Sequence, residues 1–137
     1  MPTHFNVRVY GIWLHDGQAL VNEELIKGRK VIKFPGGGLE LGEGTIEGLK
    51  REWKEELNLD IEVTDHFYTT DFFQQSAFDD SQVISIYYFV QARADSVILN
   101  LEKNERTYWL ALDELDGETF TLPIDRVVGN MLRTLFA

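Results

Sequence analysis

Three consecutive glycines, Gly36 to Gly38, divide two segments of different hydrophobic period, and this switch constrains the fold more than any other feature of the chain. Before them Val31, Ile32 and Phe34 make a short apolar run that stops at Pro35, the pattern of a strand. After them Ile46, Leu49, Trp53 and Leu57 recur at helical spacing, so a helix beginning at Thr45 has one apolar face. Thr45 suits the N-cap of that helix, Asn58 suits a left-handed C-cap, and Gly48 reads as a mild defect in the first turn. A strand that reaches a helix through glycines, with more strands on either side, predicts an α/β fold.

The remaining chain supplies those strands. Phe5, Val7 and Val9 alternate with polar residues, and the apolar phase then moves to Ile12 and Leu14, which marks Gly11 as a bulge. Asp16-Gly17 ahead of Ala19, Leu20 and Val21 signals a hairpin that makes the first two strands antiparallel neighbours. Glu23 to Lys30 reads as a polar connection. Ile61 to Phe73, Val83 to Ala92 and Thr107 to Leu112 read as strands, with a turn at Asp79-Asp80-Ser81. Pro123 opens a last helix, in which Ile124, Val127, Val128, Met131, Leu132, Leu135 and Phe136 form a broad apolar face. The expected architecture is an α/β/α sandwich, a mixed curved sheet between the helix from Thr45 and the C-terminal helix, in one domain spanning residues 1–137.

Charge narrows the function. With 13 Lys plus Arg against 23 Asp plus Glu, the formal net charge is −10, the wrong sign for holding nucleic acid or an anionic membrane. A polyphosphate ligand would have to arrive with a metal ion. The absence of cysteine removes disulfides, thiolate nucleophiles and Cys-type zinc sites. The alternating N-terminus does not look like a secretion signal, and the apolar runs fall short of the roughly 20 residues that span a bilayer, so a cytoplasmic protein is expected. His4, His15 and His66 have no ligand spacing.

The chemistry is concentrated on the helix from Thr45, which carries Arg51, Glu52, Glu55 and Glu56. At about 100° per residue the three carboxylates share roughly a 100° arc, where like charges repel by a few tenths of a kcal/mol per pair. They also sit in the C-terminal half of the helix, where the backbone dipole disfavours acid. A hard divalent cation with oxygen ligands, Mg²⁺ or Mn²⁺, is the simplest compensation. The alternative is a solvated acidic face with Lys50, Arg51 and Lys54 as surface partners.

Spacing favours the cation. Gly37, then Glu43, then Arg51-Glu52-Trp53, Glu55-Glu56 and Asn58-Leu59 resemble the Nudix box, G-x5-E-x7-R-E-U-x-E-E-x-G-U with U bulky and apolar, and every specified position but one fits. Phe34-Pro35-Gly36-Gly37 and the stretch Glu40 to Glu43 also resemble this family's approach to the box. The one departure is Asn58 in place of glycine, and Asn is the next most tolerant residue of positive φ at a helix end.

The resemblance implies hydrolysis of a nucleoside diphosphate linked to another group, by attack of water within the diphosphate. It implies that Glu52, Glu55 and Glu56, helped by the main-chain carbonyl of Gly36, hold one to three Mg²⁺ or Mn²⁺ ions. Glu52 is the first candidate for general base and Glu55 the second. Gly37, Glu43 and Arg51 would be structural members of the box, with Glu43 and Arg51 fixing the glycine loop against the helix. The alternative for Arg51 is a surface pair with Glu47. Arg29 and Lys30 are candidates to clamp a phosphate, and Glu102 or Glu105 to complete the metal site. Tyr10, Trp13, Phe72, Phe73, Tyr87 and Tyr88 are expected in the core, with one or two left to stack on a base. Relatives selective for ADP-ribose carry a proline, and those for dinucleoside polyphosphates a tyrosine, in the stretch that is Phe73-Gln74-Gln75-Ser76-Ala77 here and has neither. The rival function is a non-catalytic nucleotide-sensing module on the same fold, against which the intact carboxylate trio argues. The partner expected is a small molecule, and a homodimer is compatible with the sequence.

Overall fold

A computed structural model of the chain describes residues 1–93, 95–116 and 118–137. Its strands are β1 (His4–Ile12), β2 (Leu14–His15), β3 (Gln18–Ile26), β4 (Arg29–Lys33), β5 (Gly36–Gly38), β6 (Glu62–Thr69), β7 (Ser81–Gln91) and β8 (Glu105–Ala111). The helices are α1 (Thr45–Leu57) and α2 (Pro123–Phe136). One sheet runs β5-β1-β7-β6, with β1 parallel to β7 and the other pairs antiparallel. In the second sheet β3 pairs with β2 and β4 on one side and with β8 on the other, all antiparallel.

The expected α/β fold with a mixed sheet and two helices is what the chain adopts. The two helices cover opposite faces of β1. Val9 packs with Leu49, Trp53 and Leu57 of α1, whereas Tyr10 and Ile12 pack with Ile124, Val128 and Leu132 of α2. Burying an apolar side chain of this size contributes about 1.5–3 kcal/mol, so these two seams are the main attachments of the helices.

Local expectations change in four places. Gly11 is not a bulge, because β1 pairs with β7 in unbroken register from His4 to Ile12. The apolar phase shifts there because both faces of the strand become buried, and a Cβ at Gly11 would lie 2.7 Å from Trp53 Cζ2. The hairpin at Asp16-Gly17 forms, with both residues at positive φ, yet it joins only β2 to β3, while β1 lies in the other sheet. The polar stretch Glu23 to Lys30 is a second hairpin, turning at Lys27-Gly28 with φ of 50° and 76°. At α1 the N-cap is Gly44, whose N–H donates to Glu47 Oε1 at 3.1 Å, and Thr45 instead bonds Tyr88 through its hydroxyl at 2.7 Å.

Other expectations sharpen. Asn58 is left-handed at φ 55°, ψ 36°, and its N–H caps the carbonyl of Lys54. Gly48 is a packing requirement, since a Cβ there would fall 2.6 Å from Leu39 Cδ1. Ile46 is exposed despite its helical spacing, as are Leu135, Phe136, Phe72 and Phe73, whereas Tyr10, Trp13 and Tyr87 are buried. Among the described residues no helix is long and apolar enough to cross a membrane.

Candidate active site

The three glycines form β5, the edge strand of the first sheet, and the lack of side chains there lets α1 lie against it. A Cβ at Gly37 would sit 2.5 Å from Glu52 Oε2, so the Glu52 carboxylate occupies the space over that glycine. The ladder to β1 uses the Pro35 carbonyl toward Gly11 N–H and the Leu39 N–H toward the Val7 carbonyl, both at 2.9 Å. In an antiparallel pair the intervening Gly36 and Gly38 therefore turn their backbone groups to the open edge. Arg51 confirms that direction by donating from Nη2 to the Gly38 carbonyl at 3.0 Å.

Arg51 ties the box together. It donates to Glu43 at 2.9 and 2.7 Å, to Glu52 at 3.1 Å and to Glu55 at 3.1 Å. Its partner across the loop is Glu43, and Glu47 serves the helix cap instead. The Arg51 hydrogen bonds, with a further one from the backbone at Glu40, lower the Glu43 carboxyl to about 2. Glu43 in turn holds the bend at Glu40, because Glu40 N–H donates to Glu43 Oε1 at 2.9 Å.

Opposite α1, the second sheet contributes Glu105, a candidate from sequence, together with three residues that were not, Asn22, Glu24 and Lys33. Register places Asn22 opposite Lys33 and Thr107, and Glu24 opposite Glu105, so Asn22, Glu24, Lys33 and Glu105 share one face. The Lys33 ammonium is almost wholly buried and pairs with Glu24 at 3.0 Å. Burial works to lower its pKa, but Tyr10, Glu24 and Glu56 together hold it above the usual lysine value. Backbone bonds from Leu99 to the Leu57 carbonyl at 3.1 Å and from Leu101 to the Glu56 carbonyl at 2.9 Å tie the segment before β8 to the end of α1. This brings Glu105 to Glu56.

The result is a crowded acidic pocket. Burial pushes the Glu56 carboxyl up to about 8, with Glu105, Glu52 and Glu24 adding to the rise and Lys33 opposing it. Burial, and then Glu24, also raise Glu105. Glu56 Oε2, Glu105 Oε2 and both amide atoms of Asn22 are buried with no hydrogen-bond partner in the chain. Unpartnered buried oxygens on converging acids are expensive, and an all-oxygen donor set of this kind suits a hard divalent cation. Among the described residues no three acids or imidazoles already stand close enough to hold an ion, because Arg51 draws Glu52 and Glu55 toward itself.

On the other face of β1 lies a cavity of about 260 Å³. Arg8, Tyr10, Lys33, Gln74, Phe78 and Asp125 are among its lining residues. At its floor Tyr87 donates to Asp125 at 2.7 Å, and burial pushes the Asp125 carboxyl up to about 6 against that hydrogen bond. Of the candidates from sequence, Arg29 lies over the Phe78 ring at 5.9 Å, while Lys30 makes an exposed pair with Glu23 at 3.3 Å and stays outside the site. Glu102 is exposed, so Glu105 is the late acid that reaches the cluster. Lys33 carried a sequence signal, a lysine between Ile32 and Phe34 in an apolar strand, whereas Asn22 and Arg8 look like ordinary strand polar residues and Glu24 falls in the stretch that reads as a polar connection.

Known proteins share the domain and the fold. The family model for the NUDIX domain matches residues 2–129. The fold is similar to that of the E. coli ORF135 protein in solution, with TM-score 0.81 and 17% identity over 98% of this chain and 93% of that one. It is also similar to the MutT protein from Methanosarcina mazei Go1, with TM-score 0.79 and 19% identity over 98% and 96% of the two chains. A NUDIX hydrolase from Nitrosomonas europaea gives TM-score 0.76 and 20% identity over 93% and 88%. No curated protein sequence matches the chain. With the family model spanning nearly its full length and the acidic helix laid against a glycine edge strand, the chain belongs to the Nudix family and is a pyrophosphohydrolase of the Nudix type.

Proposed function

We propose that this protein hydrolyses the diphosphate linkage of a small nucleoside diphosphate derivative with Mg²⁺ or Mn²⁺ as cofactor. The observation that carries the reading is the pair of buried, unpartnered carboxylate oxygens on Glu56 and Glu105 beside Glu52. Glu52, Glu55 and Glu56 would hold the ions, with the Gly36 carbonyl at the open edge of β5 and Glu105 completing the set. When bound, the metal would neutralise the polyphosphate against a protein of net charge −10 and stabilise charge on the phosphoryl oxygens.

The chain's own residues divide the remaining work. Glu52 is the favoured general base, because it is held over Gly37 and its side chain is 12% exposed, against 56% for Glu55. Arg51, Glu43 and the Gly38 carbonyl keep α1 and β5 at fixed separation. The cavity on the Tyr10 face of β1 would receive the group attached to the diphosphate, and its volume lies just below the usual range for small-ligand pockets. The test is to assay the purified protein with Mg²⁺ and with Mn²⁺ against nucleoside triphosphates, nucleotide sugars, dinucleoside polyphosphates and dinucleotide cofactors. Hydrolysis of at least one class, abolished by chelator, is expected; no turnover of any class with either metal would overturn the proposal.

A further inference from the structure

The cavity lies on the Tyr10 face of β1 and meets the acidic pocket at Lys33, and Arg8 stands between that cavity and the glycine edge strand. Arg8 is paired with Gly38 in the β1–β5 ladder and projects to the same face as Tyr10, so it lines the cavity. One terminal nitrogen lies 3.7 Å from where a Cβ on Gly38 would be, so the missing side chain at Gly38 leaves the guanidinium beside the strand. Gly37, the next residue of β5, meets Glu52 on the other face.

The guanidinium is held and yet has donors to spare. Its Nε donates to the Tyr10 hydroxyl at 2.5 Å, and its Cζ lies 5.7 Å from the Tyr10 ring centroid. In a chain where acids outnumber Lys plus Arg by 23 to 13, Arg8 has no ion-pair partner among the described residues. Neither terminal nitrogen donates to the protein among the described residues, and neither is sealed from solvent. A rigid planar fork with two unused corners is the group best shaped to hold a phosphoryl oxygen pair.

We propose that Arg8 contacts the substrate, gripping the phosphoryl group on the cavity side of β5 and so fixing which phosphorus faces Glu52. This rests on the diphosphate reading of the site. Arg51 is engaged by four protein partners and Lys33 by Glu24, so neither can take that place without giving up a bond it already makes.

The experiment compares wild type, Arg8→Lys and Arg8→Gln by calorimetric binding of imidodiphosphate with Mg²⁺, and by KM, kcat and cleavage position on the best substrate. Arg8→Gln should weaken imidodiphosphate binding roughly tenfold to a hundredfold and raise KM by a similar factor, the loss expected for a charge-assisted pair. Millimolar guanidinium should restore part of the loss, and Arg8→Lys should fall between, which a merely structural role would not produce. Reaction in ¹⁸O-water should show a second cleavage position in Arg8→Gln that wild type lacks. Wild-type binding and KM in a folded Arg8→Gln would overturn the assignment of Arg8, and if that variant does not fold, unchanged binding and KM in Arg8→Lys would do so. A wild type that binds imidodiphosphate through Arg8 but cleaves no diphosphate would overturn the catalytic reading and leave the contact supported.

Discussion

Gly37 and Glu52 occupy one space: the carboxylate of Glu52 lies where the first side-chain carbon of any other residue at position 37 would be, 2.5 Å from Oε2. The obstruction is the far end of a flexible side chain, so Gly37→Ala should displace Glu52 while changing stability by less than about 1 kcal/mol. A displaced base loses alignment, and kcat should fall on the order of a hundredfold. Paired melting and kinetic measurements check this; an active Gly37→Ala enzyme would show that Glu52 does not need that position.

Gly11 makes the opposite kind of contact. Its neighbour is the Trp53 indole, fixed in the core and donating from Nε1 to the Pro35 carbonyl at 3.1 Å. Gly11→Ala should therefore lose about 1–3 kcal/mol of stability by overpacking, measured by urea unfolding. A loss within a few tenths of a kcal/mol would mean that the indole can move aside.

The acidic cluster predicts an unusual pH dependence in chelator-treated protein. The folded pKa of Glu56 is about 8, above its unfolded value, because of burial first and neighbouring carboxylates second. The folded state thus retains a proton that the unfolded state has lost. Glu56 costs no stability below the unfolded pKa of about 4.3, and its cost grows as pH rises toward 8. Glu56→Gln should accordingly raise Tm at pH 8, with the gain shrinking toward pH 4. A variant less stable than wild type at pH 8 without metal would contradict the buried-repulsion account.

Divalent metal should act in the same direction. Ions that bind the folded cluster and not the unfolded chain add RT ln(1 + [L]/Kd), about 1.4 kcal/mol at ten times Kd. The gain should vanish in a Glu55→Gln, Glu56→Gln double variant. Thermal melts across millimolar Mg²⁺ and Mn²⁺ check this, and an unchanged Tm would favour a solvated acidic face.

Much of this was legible in the sequence because it is local. The spacing of Arg51, Glu52, Glu55 and Glu56 on one helix, the glycines ahead of them and the left-handed Asn58 are all set within one stretch of chain. What escaped is set across strands. Asn22, Glu24 and Lys33 join the pocket only because β3 and β4 form a hairpin at Lys27-Gly28, where the polar composition suggested a connection. Arg8 is polar in an alternating strand and looks solvent-facing, until β5 and the cavity close over that side. Ile46 failed for the converse reason: it lies at helical spacing, but the sheet does not reach it.

In the proposed reaction water attacks phosphorus within a diphosphate under the control of Glu52. Running the reaction in ¹⁸O-water with wild type and Glu52→Gln decides this. One label is expected on a phosphoryl product from within the diphosphate, with no turnover of nucleoside monophosphates and a kcat about a hundredfold to ten-thousandfold lower in the variant. Label on a sugar carbon, release of phosphate from a monophosphate, or a Glu52→Gln kcat within about threefold of wild type would contradict it.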